Sequence, residues 1–336
     1  MNTKPVLGIT MGDVNGVGPE ILAKALARPD VAAACVPVVF GDAAALERAR
    51  RFAPGCAEPL GVPEIQATPP GYVAVVDGGF EAPPQHPGEL DAAASGCAVE
   101  WVKSAVTAAL EGALDGIVTC PISKEGVRRA GYPYAGHTEL LAEMTGSSDY
   151  RMCLFAGPLR VVHITSHLSL RDAVRAVKRE RIETSIRLGH EALLRLGIDK
   201  PRIAVAGLNP HAGEAGAFGN EEQKEIAPAV AACRKAGIPC SGPYPPDTVF
   251  RRMRDGAFDM VIAMYHDQGH IPVKLIAMDE GVNVTLGIPI VRTSVDHGTA
   301  FDIAGRGSAR EHSLCAAVTL AALLTRRRGP HAQGER

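Results

Sequence analysis

The chain has 336 residues, with 35 Lys and Arg against 37 Asp and Glu, a formal charge of −2, and 46% hydrophobic against 21% charged residues. That balance excludes a disordered or fibrous chain, and it lacks the cationic excess with which a nucleic-acid surface neutralises phosphates. The eight cysteines form no C-x-x-C pair, no run reaches the ~20 apolar residues of a membrane span and the N-terminal segment has no secretion signal, so a cytoplasmic, enzyme-sized protein is expected.

In chain order, apolar β-branched runs at 6–10, 36–40, 73–77, 116–119, 161–165, 203–208 and 260–264 read as buried parallel strands. Helices are expected at 19–27, 92–112, 179–196, 221–236 and 308–325; Pro19 and Glu20 suit a first helical turn and Asp91 an N-cap. The alternation predicts an α/β fold of two lobes with a cleft, one catalytic unit over residues 1–325 in which a domain built from both chain ends is one arrangement. A polar tail is expected at 326–336, starting with Arg326, Arg327 and Arg328.

The segment from Met11 to Glu20 follows a strand and opens a helix, so its amides either cradle an anion or make a tight turn. It is not a Rossmann fingerprint, because counting from Gly16 and Gly18 puts Ile21 at the third glycine position, and no Lys-Ser/Thr pair follows as in a P-loop. His167, His211 and His266 each lie just beyond a predicted strand. Singly, each reads as a surface or hydrogen-bonded histidine; three in equivalent positions point to a divalent metal with coordination positions left open for substrate. Asp267 and Asp247 are candidates to orient ligands or take protons, against the default of solvated carboxylates. His137, Thr138, Lys274, Asn283 and Arg292, all beside Gly or Pro turns, form an anion-binding set suited to phosphate or carboxylate, although each alone would be assigned to a surface ion pair. Cys120 is a candidate nucleophile without a readable thiolate-stabilising context, which favours buried packing.

Long motifs then follow in one order: MGDVNGVGPE at 11–20, PISKE at 121–125, GHTELLA at 136–142, SHLSLRD at 166–172, GLNPHAGEAGAFGNEE at 207–222, PPDTVF at 245–250, MYHDQGHIPVK at 264–274, GVNVTLGIP at 281–289 and RTSVDHGTAFDIAG at 292–305. In these the chain resembles the 4-hydroxythreonine-4-phosphate dehydrogenases of vitamin B6 biosynthesis, including their 4-phospho-D-threonate/4-phospho-D-erythronate dehydrogenase branch. The resemblance implies an isocitrate/isopropylmalate-dehydrogenase-like α/β/α fold and a homodimer with a shared active site in the interdomain cleft. It implies NAD as cofactor and one divalent metal per subunit (zinc, magnesium or cobalt) on His167, His211 and a His266 supplied across the dimer. It also implies a phosphorylated C4 acid held by His137, Thr138, Lys274, Asn283 and Arg292. The implied reaction oxidises the C3 hydroxyl and then releases CO2; for the base that takes the hydroxyl proton, Asp267 or Asp247 is the candidate.

Two departures from the family pattern stand out: Val14-Asn15 where the family usually has Pro-Ala, and His270 with Phe301-Asp302, which resemble the threonate/erythronate branch. Two rival readings stay open, a dihydrodiol dehydrogenase of aromatic degradation on the same fold and a non-catalytic sugar-phosphate binding protein. Against the second, structural metal sites are normally closed, whereas three ligands leave an open one.

Overall fold

The computed structural model describes residues 4–277 and 280–326. The expected tail at 327–336 lies outside the described residues, and Arg326 is the last residue of a helix. The chain divides into two compact units, the first comprising residues up to 148 together with 288–326, the second 149–287.

The first unit begins with β1 (Val6–Thr10), β2 (Val36–Phe40), β3 (Glu58–Val62), β4 (Tyr72–Val76) and β5 (Gly116–Thr119). The second contributes β6 (Arg151–Ala156), β7 (Leu159–His163), β8 (Ile203–Ala206), β9 (Cys240–Tyr244), β10 (Met260–Ala263) and β11 (Val282–Leu286); β12 (Val291–Val295) belongs to the first again. The helices of the chain are α1 (Gly18–Leu26), α2 (Pro29–Ala34), α3 (Ala43–Ala49), α4 (Ala92–Leu110), α5 (Lys124–Arg129), α6 (His137–Met144), α7 (Leu170–Ala176), α8 (Arg179–Arg195), α9 (Ala227–Lys235), α10 (Pro246–Arg254), α11 (His266–Ala277) and α12 (His312–Arg326). Among the described residues no helix is long and apolar enough to cross a membrane.

In the first unit the strand order is β3-β4-β2-β1-β5-β12 and every pairing is parallel. Every residue of β5 is buried, as expected where helices cover both faces of a parallel sheet. Asp91 caps α4 by accepting from Ala94 N at 2.8 Å, and Trp101 on that helix is wholly buried, its Nε1 donating to Asp77 O at 3.0 Å.

In the second unit the expected strands β7, β10 and β8 pair in parallel, and a strand not expected from sequence, β6, adds antiparallel pairings. The strand order there is β11-β6-β7-β10-β8-β9, and β6 runs antiparallel to both β11 and β7. Only Gly157 (φ 55°) and Pro158 separate β6 from β7, a connection too short for any parallel crossover. The expected helix at 221–236 also divides, into a π-helical segment Glu222–Ile226 and α9, with Pro228 in the first turn of α9. Proline has no N–H to donate back, so a uniform helix cannot run through it.

The glycine loop after β1 is a tight turn. Met11 N donates to Phe40 O, Asp13 N to Pro121 O, Asn15 N to Asp13 Oδ1, Gly16 N to Asp13 O and Val17 N to Thr299 O, so these amides are already used inside the protein. A Cβ on Gly12 (φ 72°) would overlap Pro121 O, which is why glycine stands there.

Helix α1 is tied down by a buried ion pair. Glu20 Oε1 accepts from Lys24 Nζ at 2.8 Å and from Ala309 N at 2.8 Å, while Oε2 accepts from Gly307 N at 3.0 Å. Lys24 Nζ also donates to Gly307 O and Ala309 O, so loss of Glu20 chiefly leaves the Gly307 and Ala309 amides without an acceptor, a cost of about 1–3 kcal/mol. Glu20→Ala should therefore lower the unfolding free energy by that much, seen as a fall in the urea midpoint of Trp101 emission; an unchanged midpoint would show that α1 is anchored by packing alone.

Candidate active site

In the second unit β7, β10 and β8 are successive parallel neighbours. Their carboxyl ends therefore open on one edge of the sheet, where ligands of open α/β sheets gather. His167 follows β7, His266 opens α11 after β10, and His211 lies in the turn after β8. The rings of His167 and His266 are 6.0 Å apart.

Helix α11 places His270 one turn beyond His266, and the two rings stack at 3.7 Å with a 9° interplanar angle. His270 Nδ1 is 3.1 Å from Nε2 of His163, the last residue of β7. Burial, and then the neighbouring imidazoles, push His163 down to about 3 and His270 down to about 4. Both are neutral at physiological pH, so one ring nitrogen donates and the other accepts. A Cβ on Gly269 would overlap the His163 ring, so glycine is what lets α11 approach β7 so closely. His163 was not singled out from sequence; its only signal there is its place at a strand end, four residues before His167.

The His211 turn is strained. His211, Ala212, Glu214 and Ala215 have φ of 53°, 55°, 42° and 55°. Left-handed backbone costs an L-residue roughly 1–2 kcal/mol, and such strain persists only where the surroundings over-determine it. Here Glu222, 4% exposed, accepts from Leu208 N at 2.8 Å and Asn209 N at 2.7 Å through Oε1, and from Asn209 Nδ2 at 2.9 Å through Oε2. Glu222 is a second residue that sequence reasoning missed. Gln268 fastens α11 to the same turn, its Oε1 accepting from Met264 N at 2.7 Å and its Nε2 donating to Gly207 O at 2.8 Å. Even so, among the described residues no three His, Cys, Asp or Glu side chains of one chain converge into a coordination shell.

Asp247, in the first turn of α10, and Asp267 line one pocket of about 470 Å³ with Tyr265 and Gln268. Asp267 Oδ1 lies 2.7 Å from His266 Nδ1, a contact that orients the ring. Lys274 is exposed further along α11, and Asn283 stands on β11 with its Oδ1 enclosed and making no hydrogen bond.

The rest of the anion-binding set is in the first unit. Arg292 on β12 is 3% exposed, and its Nη2 donates to Thr119 Oγ1 on neighbouring β5 at 2.7 Å. Burial pushes this guanidinium down to about 9, with Glu139 opposing the shift, so it remains a cation at neutral pH. Burial, and then the Arg292 charge, hold His137 well below the ordinary histidine range. Its residue surface is only partly covered, yet its Nε2 is enclosed and makes no hydrogen bond. His137 and Thr138 open α6, whose N-cap, Gly136, has no side chain with which to satisfy the first-turn amides. An enclosed cation beside a neutral imidazole at a helix N-terminus is a receptor for an anionic oxygen. Cys120 is wholly buried and burial pushes its thiol up, so it packs and is no nucleophile.

The model of the family described as pyridoxal phosphate biosynthetic protein PdxA matches residues 33–321. A D-threonate 4-phosphate dehydrogenase from Cupriavidus necator is 46% identical over 327 residues, 96% of this chain and 98% of its own. The crystal structure of a 4-hydroxythreonine-4-phosphate dehydrogenase from Klebsiella pneumoniae is similar with a TM-score of 0.86 and 45% identity, covering 96% of this chain and 100% of its own. A terephthalate 1,2-cis-dihydrodiol dehydrogenase from Burkholderia xenovorans LB400 is more distant, with a TM-score of 0.69, 32% identity and coverage of 95% and 98%.

Glu222→Gln would turn an amide N–H toward Asn209 Nδ2 and leave the turn under-held. Losing a charged acceptor costs about 1–3 kcal/mol, so exchange of the Leu208 and Asn209 amides should accelerate by about fivefold or more. Exchange at the wild-type rate would mean that Glu222 is not what holds His211 in place.

Proposed function

The chain belongs to the pyridoxal phosphate biosynthetic protein PdxA family, and on that premise we propose that it is an oxidoreductase acting on a 4-phosphorylated C4 hydroxy acid, oxidising the C3 hydroxyl with NAD and a divalent metal and then releasing CO2. The observation that carries this reading is the enclosed Arg292 guanidinium on Thr119 beside His137, a site suited to an anionic substrate. The dihydrodiol reading is weaker, since 32% identity at a TM-score of 0.69 falls well below 45% at 0.86. A mere binding protein has no need of an edge that presents several imidazoles beside two carboxylates.

Each side chain then has a task. His137, Thr138 and Arg292, with Lys274 and Asn283, hold the anionic ends of the substrate and so fix where C3 sits. Asp267 or Asp247 takes the hydroxyl proton, both being present in the pocket at the start of α11. When bound, NAD and a divalent metal on His167, His211 and His266 supply hydride acceptance and Lewis acidity at the C3 oxygen. His163 and His270 keep the His266 ring in one orientation.

The metal set is completed by a second copy of the chain in a homodimer, His167 and His211 coming from one subunit and His266 from the other. Two features support this: no three ligands converge within one chain among the described residues, and α11 exposes Ile271, Leu275 and Ile276 just beyond His266. The substrate falls in the threonate/erythronate branch, on the strength of His270 and Phe301-Asp302; identities of 46% and 45% to relatives bearing the two names do not choose between them.

The test is NADH formation by the purified protein with added zinc, magnesium or cobalt. 4-Phospho-D-threonate or 4-phospho-D-erythronate should give a kcat/KM at least equal to that of 4-phosphooxy-L-threonine. A hundredfold preference for the amino acid would refute the branch assignment, and no NADH from any of the three would refute the activity.

A further inference from the structure

The second unit holds two cysteines that no step above uses, and neither belongs to the proposed substrate or metal residues. Cys233 lies in the last turn of α9 and Cys240 opens β9. Both are free thiols, each 6% exposed, and they are hydrogen-bonded to each other. We propose that Cys233 and Cys240 form a modification site at which a hydroperoxide converts the two thiols to a disulfide.

The turn between the two residues sets their pairing. Gly237, at φ 85°, ends α9; its N–H donates to Arg234 O at 3.0 Å and Ile238 N donates to Cys233 O at 3.0 Å, the arrangement that turns a chain back after a helix. Pro239 O then accepts from Ile203 N at 3.2 Å, so β9 joins β8 from its first residue. Cys240 Sγ is thereby carried against α9, where it donates to Val230 O at 3.6 Å, one helical turn before Cys233 and on the same face. The Cys233 sulfur is the other acceptor within reach of that single proton. Sulfurs already in hydrogen-bond contact can close to the ~2 Å of an S–S bond, whereas thiols held far apart need the backbone to move.

The pair also divides the two roles that the reaction needs. The hydrogen bond from Cys240 lowers Cys233, and Arg187 and Arg179 on α8 act in the same direction against burial and Glu183. The same contact, and then burial, push Cys240 up. Since the thiolate is the nucleophile, Cys233 attacks and Cys240 resolves. Cys233 sulfur bonds to one peroxide oxygen, the O–O bond breaks, and the departing hydroxide takes up the proton that Cys233 gave up. Cys240 sulfur then displaces the oxygen of the Cys233 sulfenic acid: the S–S bond forms, the S–O bond breaks, and hydroxide leaves with the Cys240 proton as water. Each sulfur gives up one electron, and the peroxide is reduced to two waters. Elsewhere burial pushes the Cys120 and Cys153 thiols up, and burial with Asp42 and Asp91 does the same to Cys97, the one cysteine of the eight that is not buried.

The experiment treats the reduced full-length protein with hydrogen peroxide, blocks the remaining thiols with N-ethylmaleimide and maps the tryptic peptides by mass. Cleavage after Lys224, Arg234, Lys235 and Arg251 puts Cys233 in the segment 225–234 and Cys240 in 236–251. In the wild type these segments should become joined, without their two thiol hydrogens, about tenfold or more faster than Cys97 is oxidised, and dithiothreitol should separate them. Cys240→Ser should leave a sulfenic acid at Cys233 that dimedone captures, and Cys233→Ser should leave Cys240 reduced. Wild-type segments that stay separate, or that join only after Cys97 has been oxidised, would overturn the site whether or not the variants fold. Dimedone capture at Cys240 in Cys233→Ser, with none at Cys233 in Cys240→Ser, would overturn the division of roles.

Discussion

In the second unit everything depends on three parallel strands, β7, β10 and β8, ending side by side, because that is what brings histidines far apart in sequence to one edge. An imidazole serves as a ligand only when neutral and held in one orientation. The fold meets the orientation requirement for His266 by stacking His270 on one face and setting Asp267 at Nδ1. Gly269 in turn admits the His163 ring beneath α11, where it meets His270. For His211 the same end is reached at greater cost, through left-handed residues pinned by the buried carboxylate of Glu222.

The first unit handles charge in the opposite way. Enclosing a guanidinium carries a desolvation penalty of several kcal/mol, which good geometry and an anionic ligand offset. Arg292 is held against Thr119 by adjacent parallel strands, so its position is set before any ligand arrives and little ordering remains to be done on binding. His137 is kept neutral by burial and by that same cation, so in the proposed site it would meet an anion without adding a mobile charge.

How much of this was legible depended on whether the cause was local. β1, β2 and β5 were readable because strands covered on both faces must be continuously apolar, and Asp91 and Pro19 because caps and first turns act within a few residues. β3 and β9 were not: both lie at sheet edges, β3 is largely uncovered, and β9 carries Gly242 and Pro243, which a central strand excludes. β6 was hidden by its first residue, Arg151, which is buried with its Nε donating to Ser185 Oγ at 2.9 Å and its Nη1 to Tyr150 O at 2.7 Å. In the candidate site, the post-strand positions of His167, His211 and His266 were visible. Glu222 was not, since its partners are backbone amides 13 and 14 residues away that no side-chain pattern announces. The pairing of His163 with His270 spans 107 residues and appears only once β7 and α11 are packed.

The central claim, that one chain supplies only part of a metal site and a second copy completes it, is tested most directly by subunit complementation. His167→Ala and His266→Ala proteins should each lack bound metal and activity. When they are mixed and subunits exchange, half the dimers are mixed, and each of those carries one intact site of its two. Metal content by elemental analysis and activity should then both return to about a quarter of the wild-type values. No recovery after exchange has been verified by mass, or a His167→Ala/His211→Ala/His266→Ala protein that still retains one zinc per subunit, would contradict the account.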